Sequence, residues 1–389
     1  MKLKKLKVHS LTGRILMPVM EKAHKAVRRN RGAAGLDKVS VDMYAQNLEQ
    51  NLESLMKSLK DRTYTTSPLR RHYIPKGDGK VRPLGIPNVK DRVAQEVIRS
   101  IIEPIFEKMF HDDSYGFRKR RNAHQAVRRV QELYGMGYKV VVDADISGFF
   151  DNIPHKLIEN SIAEEIADGN IIKIIKKFLG CGVMEDGKYI HTKQGTPQGG
   201  VISPLLANIV LNKFDWALHE RDIKFVRYAD DFVLLTKTQE EAERALAFAK
   251  EFLAELGLKL HSGKTKITPY SKGFDFLGFN INHHGCKMKE KAIEKFKDKV
   301  KKVTIRSQNL DSEVIVQLNR IIRGTVNYFV KDFTTGYHTF RRFASWIRRR
   351  IRCMKYTRIS ENDNFRLRNK HIAKLGLLNI FELYLTAKG

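Results

Sequence analysis

The stretch Lys224-Phe-Val-Arg-Tyr-Ala-Asp-Asp-Phe-Val-Leu-Leu-Thr236 constrains the fold of this chain more than any other. Phe225 to Tyr228 and Phe232 to Thr236 are rich in β-branched and aromatic residues, as buried strands are, and the pattern predicts a β-hairpin with Asp230 and Asp231 at its turn. The turn holds no Gly, Pro or Asn, so turn chemistry did not select the two acids. Two carboxylates roughly 4 Å apart repel by about 4 kcal/mol at an effective dielectric near 20, and a shared divalent cation reverses that cost. Mg²⁺ commonly takes one or two protein carboxylates and completes its octahedron with substrate phosphates and water. Such a site belongs to phosphoryl and nucleotidyl transfer. The plain alternative is a solvated turn whose acids keep it soluble.

A two-metal site needs a further carboxylate from elsewhere in the chain. Val140-Val-Val-Asp-Ala-Asp-Ile-Ser-Gly-Phe-Phe-Asp151 supplies it: a strand over Lys139 to Ile146 delivers Asp145 at its end, with Asp143 two residues earlier on the same face. Asp151 is expected to cap the helix that follows.

At 389 residues, 42% of them hydrophobic, the chain can bury two or three cores. No run approaches the ~20 apolar residues of a membrane span, and Met1-Lys-Leu-Lys-Lys-Leu-Lys7 lacks the apolar core of a signal peptide, so the cytoplasm is the expected location. Cys181, Cys286 and Cys353 are too scattered for a zinc site or a disulfide framework. The formal charge of +29, from 72 Lys and Arg against 43 Asp and Glu, calls for a polyanionic partner, and nucleic acid fits that better than a membrane surface. From Lys287 onward there are 25 Lys and Arg against 9 Asp and Glu, a net of +16, which concentrates the basic footprint at the C-terminal end.

Helices are expected over about 11–31, 41–60, 91–110, 122–134, 153–166, 170–179 and 239–256, with a long one opened by Ser203 as cap and Pro204 in its first turn. Residues 71–85 read as a hairpin about a Gly-Asp-Gly turn with cations at its tip, 257–267 as a returning strand, and 274–281 as one alternating strand. Basic helices are expected over 290–305, 312–330 and 337–354. In Lys193-Gln-Gly-Thr-Pro-Gln-Gly-Gly-Val-Ile-Ser203 the glycines permit close backbone approach to a ligand, and Gln198 offers an amide for base or sugar edges.

Arg227-Tyr-Ala-Asp-Asp231 resembles the catalytic box of reverse transcriptases. Gln194-Gly-Thr-Pro-Gln-Gly-Gly-Val-Ile-Ser-Pro-Leu-Leu-Ala-Asn-Ile209 resembles the template and nucleotide box of those encoded by bacterial group II introns. Ile74-Pro-Lys-Gly-Asp-Gly-Lys-Val-Arg-Pro-Leu-Gly-Ile-Pro87, Ser114-Tyr-Gly-Phe-Arg118, Phe276-Leu-Gly-Phe279 and Leu318-Asn-Arg-Ile-Ile-Arg-Gly-Thr-Val-Asn-Tyr-Phe329 are similar to further motifs, in the family's order across nearly the whole chain.

The resemblance implies an α+β right-hand polymerase fold, fingers and palm, followed by an α-helical thumb or maturase domain. Its modules would be an N-terminal extension over 1–60, fingers and palm over 61–285, the thumb over 286–360 and a short segment over 361–389. It implies RNA-directed DNA synthesis with two Mg²⁺ ions, Mn²⁺ being a substitute, held by Asp145 and Asp230 with Asp231 assisting and the Ile146 carbonyl completing one shell. Lys76 and Arg82 would lie over the incoming triphosphate, and Phe150 under the nucleotide sugar, where it excludes a 2′-hydroxyl. Lys264 or Lys266 would assist pyrophosphate departure. Arg28, Arg29, Arg31, Arg118, Arg323, Arg348, Arg349 and Arg350 would contact nucleic acid. The implied partners are an RNA template, a DNA or RNA primer, deoxynucleoside triphosphates and a structured intron RNA. Because the chain stops at Gly389 without paired cysteines and histidines, no endonuclease activity is expected. Two alternatives stay open: a mainly RNA-binding splicing cofactor, and an intron-independent relative serving host repair or defence.

Overall fold

The computed structural model describes residues 7–77, 80–358 and 360–388, and the chain falls into two compact units, 1–267 and 268–389. In the first, helices α1 (Met17–Arg29), α2 (Val41–Gln46) and α3 (Leu48–Lys60) precede the strands β1 (Leu69–Gly77) and β2 (Lys80–Ile86). Then come α4 (Val89–Glu107), α5 (Ala123–Gly135), β3 (Val140–Asp145), α6 (Phe149–Asn152), α7 (His155–Ala163), α8 (Gly169–Leu179), β4 (Val183–Glu185) and β5 (Lys188–Ile190). The unit closes with α9 (Ser203–Glu220), β6 (Lys224–Tyr228), β7 (Asp231–Thr236), α10 (Gln239–Glu255) and the start of β8 (Lys266–Pro269).

One sheet has the order β2-β1-β4-β5 and the other β6-β7-β3-β8. Strand β7 is antiparallel to both its neighbours, with Asp231 opposite Tyr228 on one side and Asp145 on the other. Phe232 and Leu234 of β7 and Val142 and Ala144 of β3 belong to the buried core, which α9 and α10 share. The remaining residues of those strand ends, Asp143, Asp145 and Asp231, face the opposite side. The pleat's period of two sets these acids on one face near the strand ends, while Val141, Val233 and Leu235 further along the same face are fully buried.

The N-terminal helices belong to the same core. Met20, Ala23, His24 and Val27 of α1 bury one helical stripe, and α4 is buried along most of its length. The buried carboxylate of Asp91 in α4 accepts from the Tyr64 hydroxyl at 2.6 Å and the Ser67 amide at 3.1 Å. The helix expected over 41–60 is broken at Asn47, and the Asn51 side chain donates to the Tyr44 carbonyl freed there. Ser203 is the first residue of α9 rather than its cap; its hydroxyl donates to the Pro197 carbonyl at 2.9 Å, while Pro204 sits in the first turn as expected.

The second unit holds β9 (Phe274–Phe276), β10 (Phe279–Asn282), β11 (Gly285–Met288), α11 (Glu290–Val303), α12 (Ser312–Phe329), α13 (Tyr337–Tyr356), α14 (Asp363–Arg366), α15 (Asn369–Lys374) and α16 (Ile380–Thr386). The run 274–281 is therefore a hairpin, not one strand. Phe276 pairs with Phe279 across a two-residue loop in which Leu277 and Gly278 both have positive φ, 49° and 89°. Such loops reverse a chain tightly, and only Gly278 signalled it in the sequence. The unit has its own core, built from Phe296, Leu318, Ile322, Phe340, Ile347 and Ile351 among others. The division between units falls at 267/268, ahead of the 285/286 boundary expected from the motifs. Among the described residues no helix is long and apolar enough to cross a membrane.

Candidate active site

The site is built around Arg227, which is fully buried on β6. Its guanidinium is held on both sides by the Asp215 carboxylate of α9, with Nε to Oδ1 at 2.7 Å and Nη2 to Oδ2; both side chains are completely excluded from solvent. Nη1 donates to Asn208 Oδ1 at 3.0 Å and to the Ala229 carbonyl at 2.9 Å. A charge-paired guanidinium with four such bonds tolerates burial that a lone cation would not.

The backbone around it is tied just as closely. Arg227 N donates to Asp113 O at 2.9 Å, Tyr115 N to Arg227 O at 2.8 Å, and Asn208 Nδ2 to Gly116 O at 2.8 Å. A Cβ on Gly116 would overlap the backbone of Tyr228 and Ala229, so glycine is what lets this loop lie against the turn. Ala229, first of the two turn residues, has φ 62°, a left-handed conformation that costs an L-residue roughly 1–2 kcal/mol. The packing of Gly116 and the bond from Arg227 hold that strained turn in place.

Asp230 therefore stands at the tip of the hairpin beside Asp145, the last residue of β3. Burial, and after it the charge of Asp145, pushes the Asp230 carboxyl above the usual carboxylate range, while Arg82 and Lys264 pull the other way. Lys264 pairs directly with Asp145, and Lys266 with Asp143 at 3.9 Å. Of the two lysines left open by the sequence, Lys264 is the one at the terminal acid. The segment that carries it does not form the full return strand expected over 257–267. It meets β3 first through an antiparallel bridge, Ile146 to Leu260, closed by His261 N to Asp145 O and Ser147 N to Lys259 O, both 2.8 Å, and joins the sheet beside β3 only from Lys266, where β8 begins. Those bonds leave the Ile146 carbonyl outside the bridge. Among the described residues no three His, Cys, Asp or Glu side chains gather as a closed metal cage. A pair of acids with mutual repulsion instead fits the open, phosphate-completed coordination that Mg²⁺ favours.

Short helix α6, which begins four residues after Asp145, holds Phe150 half-buried, edge-on to Phe149 with centroids 5.4 Å apart and to Phe117 at 6.2 Å. Phe117 is 52% exposed and also has positive φ, 58°. The glycine-rich loop lies on α6: Thr196 N donates to Phe150 O at 2.6 Å, Gly195 N to Ile153 O at 2.8 Å, and the Gln198 amide to Asp151 at 2.8 Å. Asp151 thus contacts the loop and does not cap the next helix, whose N-cap is Pro154. From the other side Gly85 N donates to Gln198 O at 2.8 Å, which fixes the loop to the strand carrying Arg82. Arg82 is exposed, and the Lys76 side chain falls outside the described residues.

The arginines expected to meet nucleic acid divide. Arg28, Arg29 and Arg31 are exposed, Arg28 within 3.7 Å of Asp42. Arg118 is buried, with bonds to Glu107 and to the carbonyls of His111 and Ser114; a guanidinium so occupied braces its own loop and has no face left for RNA. Arg323 is exposed on α12. In the second unit a groove of about 1700 Å³ is lined by Lys287, Lys297, Arg341, Arg342, Arg348 and Arg349 among others. Arg350 is turned away from it, donating to the hydroxyl and carbonyl of Thr304, so it ties α13 to the end of α11 rather than offering a free charge.

Sequence reasoning missed Asp215 and Asn208. Their signal was present: two polar residues seven apart, each flanked by apolar residues in a helix rich in them, lie on one face and need a buried partner.

Residues 74–281 match the model of a family described as reverse transcriptase (RNA-dependent DNA polymerase), and residues 293–374 that of the group II intron maturase-specific domain. Protein YkfC of Escherichia coli (strain K12) is 34% identical over 318 residues, 71% of this chain and 84% of YkfC. The group II intron-encoded protein LtrA of Lactococcus lactis subsp. cremoris is 32% identical over 369 residues, 77% of this chain. This chain spans 60% of the length of LtrA.

The buried pair gives a direct test. Asp215→Asn leaves the guanidinium in the core without its countercharge and should lower stability by about 3–5 kcal/mol, read as a drop in the urea midpoint at unchanged m-value. The double variant Arg227→Met/Asp215→Leu should be less destabilised than Asp215→Asn alone. Equal stability of wild type and Asp215→Asn would show that the pair does not hold the hairpin.

Proposed function

This chain belongs to the group II intron-type reverse transcriptases, RNA-directed DNA polymerases that carry a maturase domain, and we propose that it extends a primer on an RNA template by two-metal nucleotidyl transfer. The observation that carries this mechanism is the meeting of acids where two strands adjoin: Asp145 of β3 pairs with Asp231 of β7, and burial together with the charge of Asp145 pushes the carboxyl of Asp230, next in the turn, above its ordinary range. Asp145 and Asp230 would hold Mg²⁺, or Mn²⁺ in its place, with Asp231 beside them and the Ile146 carbonyl as a further oxygen. Bound there, the ions would activate the primer 3′-hydroxyl and neutralise charge on the leaving oxygen.

The chain's own residues would do the rest. Arg82, on the strand fastened to Gln198, would offset triphosphate charge, as its pull on Asp230 suggests. Lys264, paired with Asp145 in the free protein, would turn to the phosphates once Asp145 is engaged, and so be at hand for the departing pyrophosphate. Phe150, backed by Phe149, would wall off the space a 2′-hydroxyl needs. Intron RNA would bind along the cationic groove of the second unit, which supports a role in splicing.

Asp230→Asn keeps the side chain's size and removes its charge. It should abolish primer extension on an RNA template while leaving filter binding of the same RNA unchanged. Extension at the wild-type rate would falsify the metal assignment. Phe150→Ala should raise incorporation of ribonucleotides in primer extension with rNTPs alone, since an open space replaces the wall; unchanged discrimination would move the gate to another residue. RNA affinity should fall steeply with salt, and replacing Arg341, Arg342 and Arg349 together by Ala should reduce the log–log slope by about 2 to 3, because each neutralised phosphate releases 0.7 to 0.9 counterion. A slope that stays put would mean the groove is not where RNA lies.

A further inference from the structure

The contact between Asp151 and Gln198 has no part in the reading above, and its chemistry is directional. Asp151 lies exposed on α6, one residue beyond Phe150, and its Oδ2 accepts from Gln198 Nε2 at 2.8 Å. An ionised carboxylate only accepts, so the amide must turn its NH₂ toward Asp151, and Oε1, the acceptor end, is left facing away. The residue has little other freedom. Its carbonyl accepts from Gly85 N at 2.8 Å, and a Cβ on the following Gly199 would lie 2.7 Å from the Gly85 carbonyl. Two residues before it, Thr196 N is bonded to Phe150 O. Gln198 is thus held by its backbone to the strand of Arg82 and by its side chain to the helix of Phe150, on either side of the space proposed for the nucleotide.

We propose that Asp151 is a positioning residue for nucleotide selection: it orients the Gln198 amide so that Oε1 accepts a hydrogen bond from the 3′-hydroxyl of the incoming deoxynucleotide. This rests on the polymerase reading and on Phe150 lying by the sugar. A deoxynucleotide's sugar offers one hydroxyl donor, and an acceptor held in advance binds it without the entropy of ordering an amide. With Asn at 151 the neighbour can donate as well as accept, so the Gln198 amide is no longer held in one orientation and Oε1 is no longer set in advance toward the sugar.

The test is single-nucleotide extension by the full chain with a dNTP and with its 2′,3′-dideoxy analogue, which lacks the donor. Asp151→Asn should raise KM for the dNTP by about tenfold, the worth of one hydrogen bond, with a smaller change in kcat. KM for the dideoxy analogue should stay within about twofold. In a Gln198→Ala background, Asp151→Asn should add nothing further. Because Asp151 is exposed, thermal melting should match wild type. A KM that rises equally for both nucleotides, one that does not rise at all, or an Asp151 effect that persists without Gln198 would each overturn the proposal. These outcomes leave the polymerase reading intact. That reading fails only if wild-type protein extends no primer.

Discussion

The structure depends most on the buried pair between Arg227 and Asp215. Without it the turn at Ala229 and Asp230 would be a strained two-residue loop with an unstable acid at its tip. With it, α9 and the β6-β7 hairpin are bonded to one guanidinium, and the 113–116 loop is bonded to the backbone of the same residue and to Asn208. The arrangement has a physical logic: acids that repel each other cannot hold their own geometry, so the force that holds them comes from behind. The guanidinium bonds of Arg227 lie on the buried side, while Asp145 and Asp230 stand half-buried at the other side of the turn.

The second constraint is the close approach of backbone to backbone around α6. Gly195 leaves no room for a side chain against Asp151, and Gly199 is similarly pressed on Gly85. Three elements far apart in sequence, the β2 strand, α6 and the glycine-rich loop, are thereby registered within hydrogen-bond distances. Displacement of one must move the others, so the position of Arg82 and that of Phe150 are mechanically linked through Gln198. Electrostatics in the second unit obeys a looser rule. Its cations line a broad groove, and a polyanion bound there would be held by many phosphate contacts, so that no one arginine need be placed closely.

Much of this was legible in the sequence. The strands declared themselves through β-branched and aromatic runs, and Asp145, Asp230 and Asp231 stood out because acids at the ends of apolar strands have no structural reason to be there. The family could be recognised from motifs such as Arg227-Tyr-Ala-Asp-Asp231 in their order, and the overall balance of charge pointed to nucleic acid. These are properties of residue type and local spacing, and the chain carries them whatever its fold. Local spacing failed at Phe274 to Ile281, where an alternating run fits a single strand and a hairpin equally well until the φ of Leu277 and Gly278 is known.

Only the tertiary structure decided which charges are available. Arg118 and Arg350 look in sequence like Arg349, yet two of the three are bonded to carbonyls of their own unit. Lys264 and Lys266 are indistinguishable by pattern, and the bridge between Ile146 and Leu260 sets one against Asp145 and the other against Asp143. Asp151 had the look of a helix cap until Gln198 was found beside it. In each case the partner lies where chain spacing carries no information, and a side chain's role is set by what desolvates it and what it is bonded to. The sequence by itself determined which chemistry this protein carries; packing decided which residues are free to perform it.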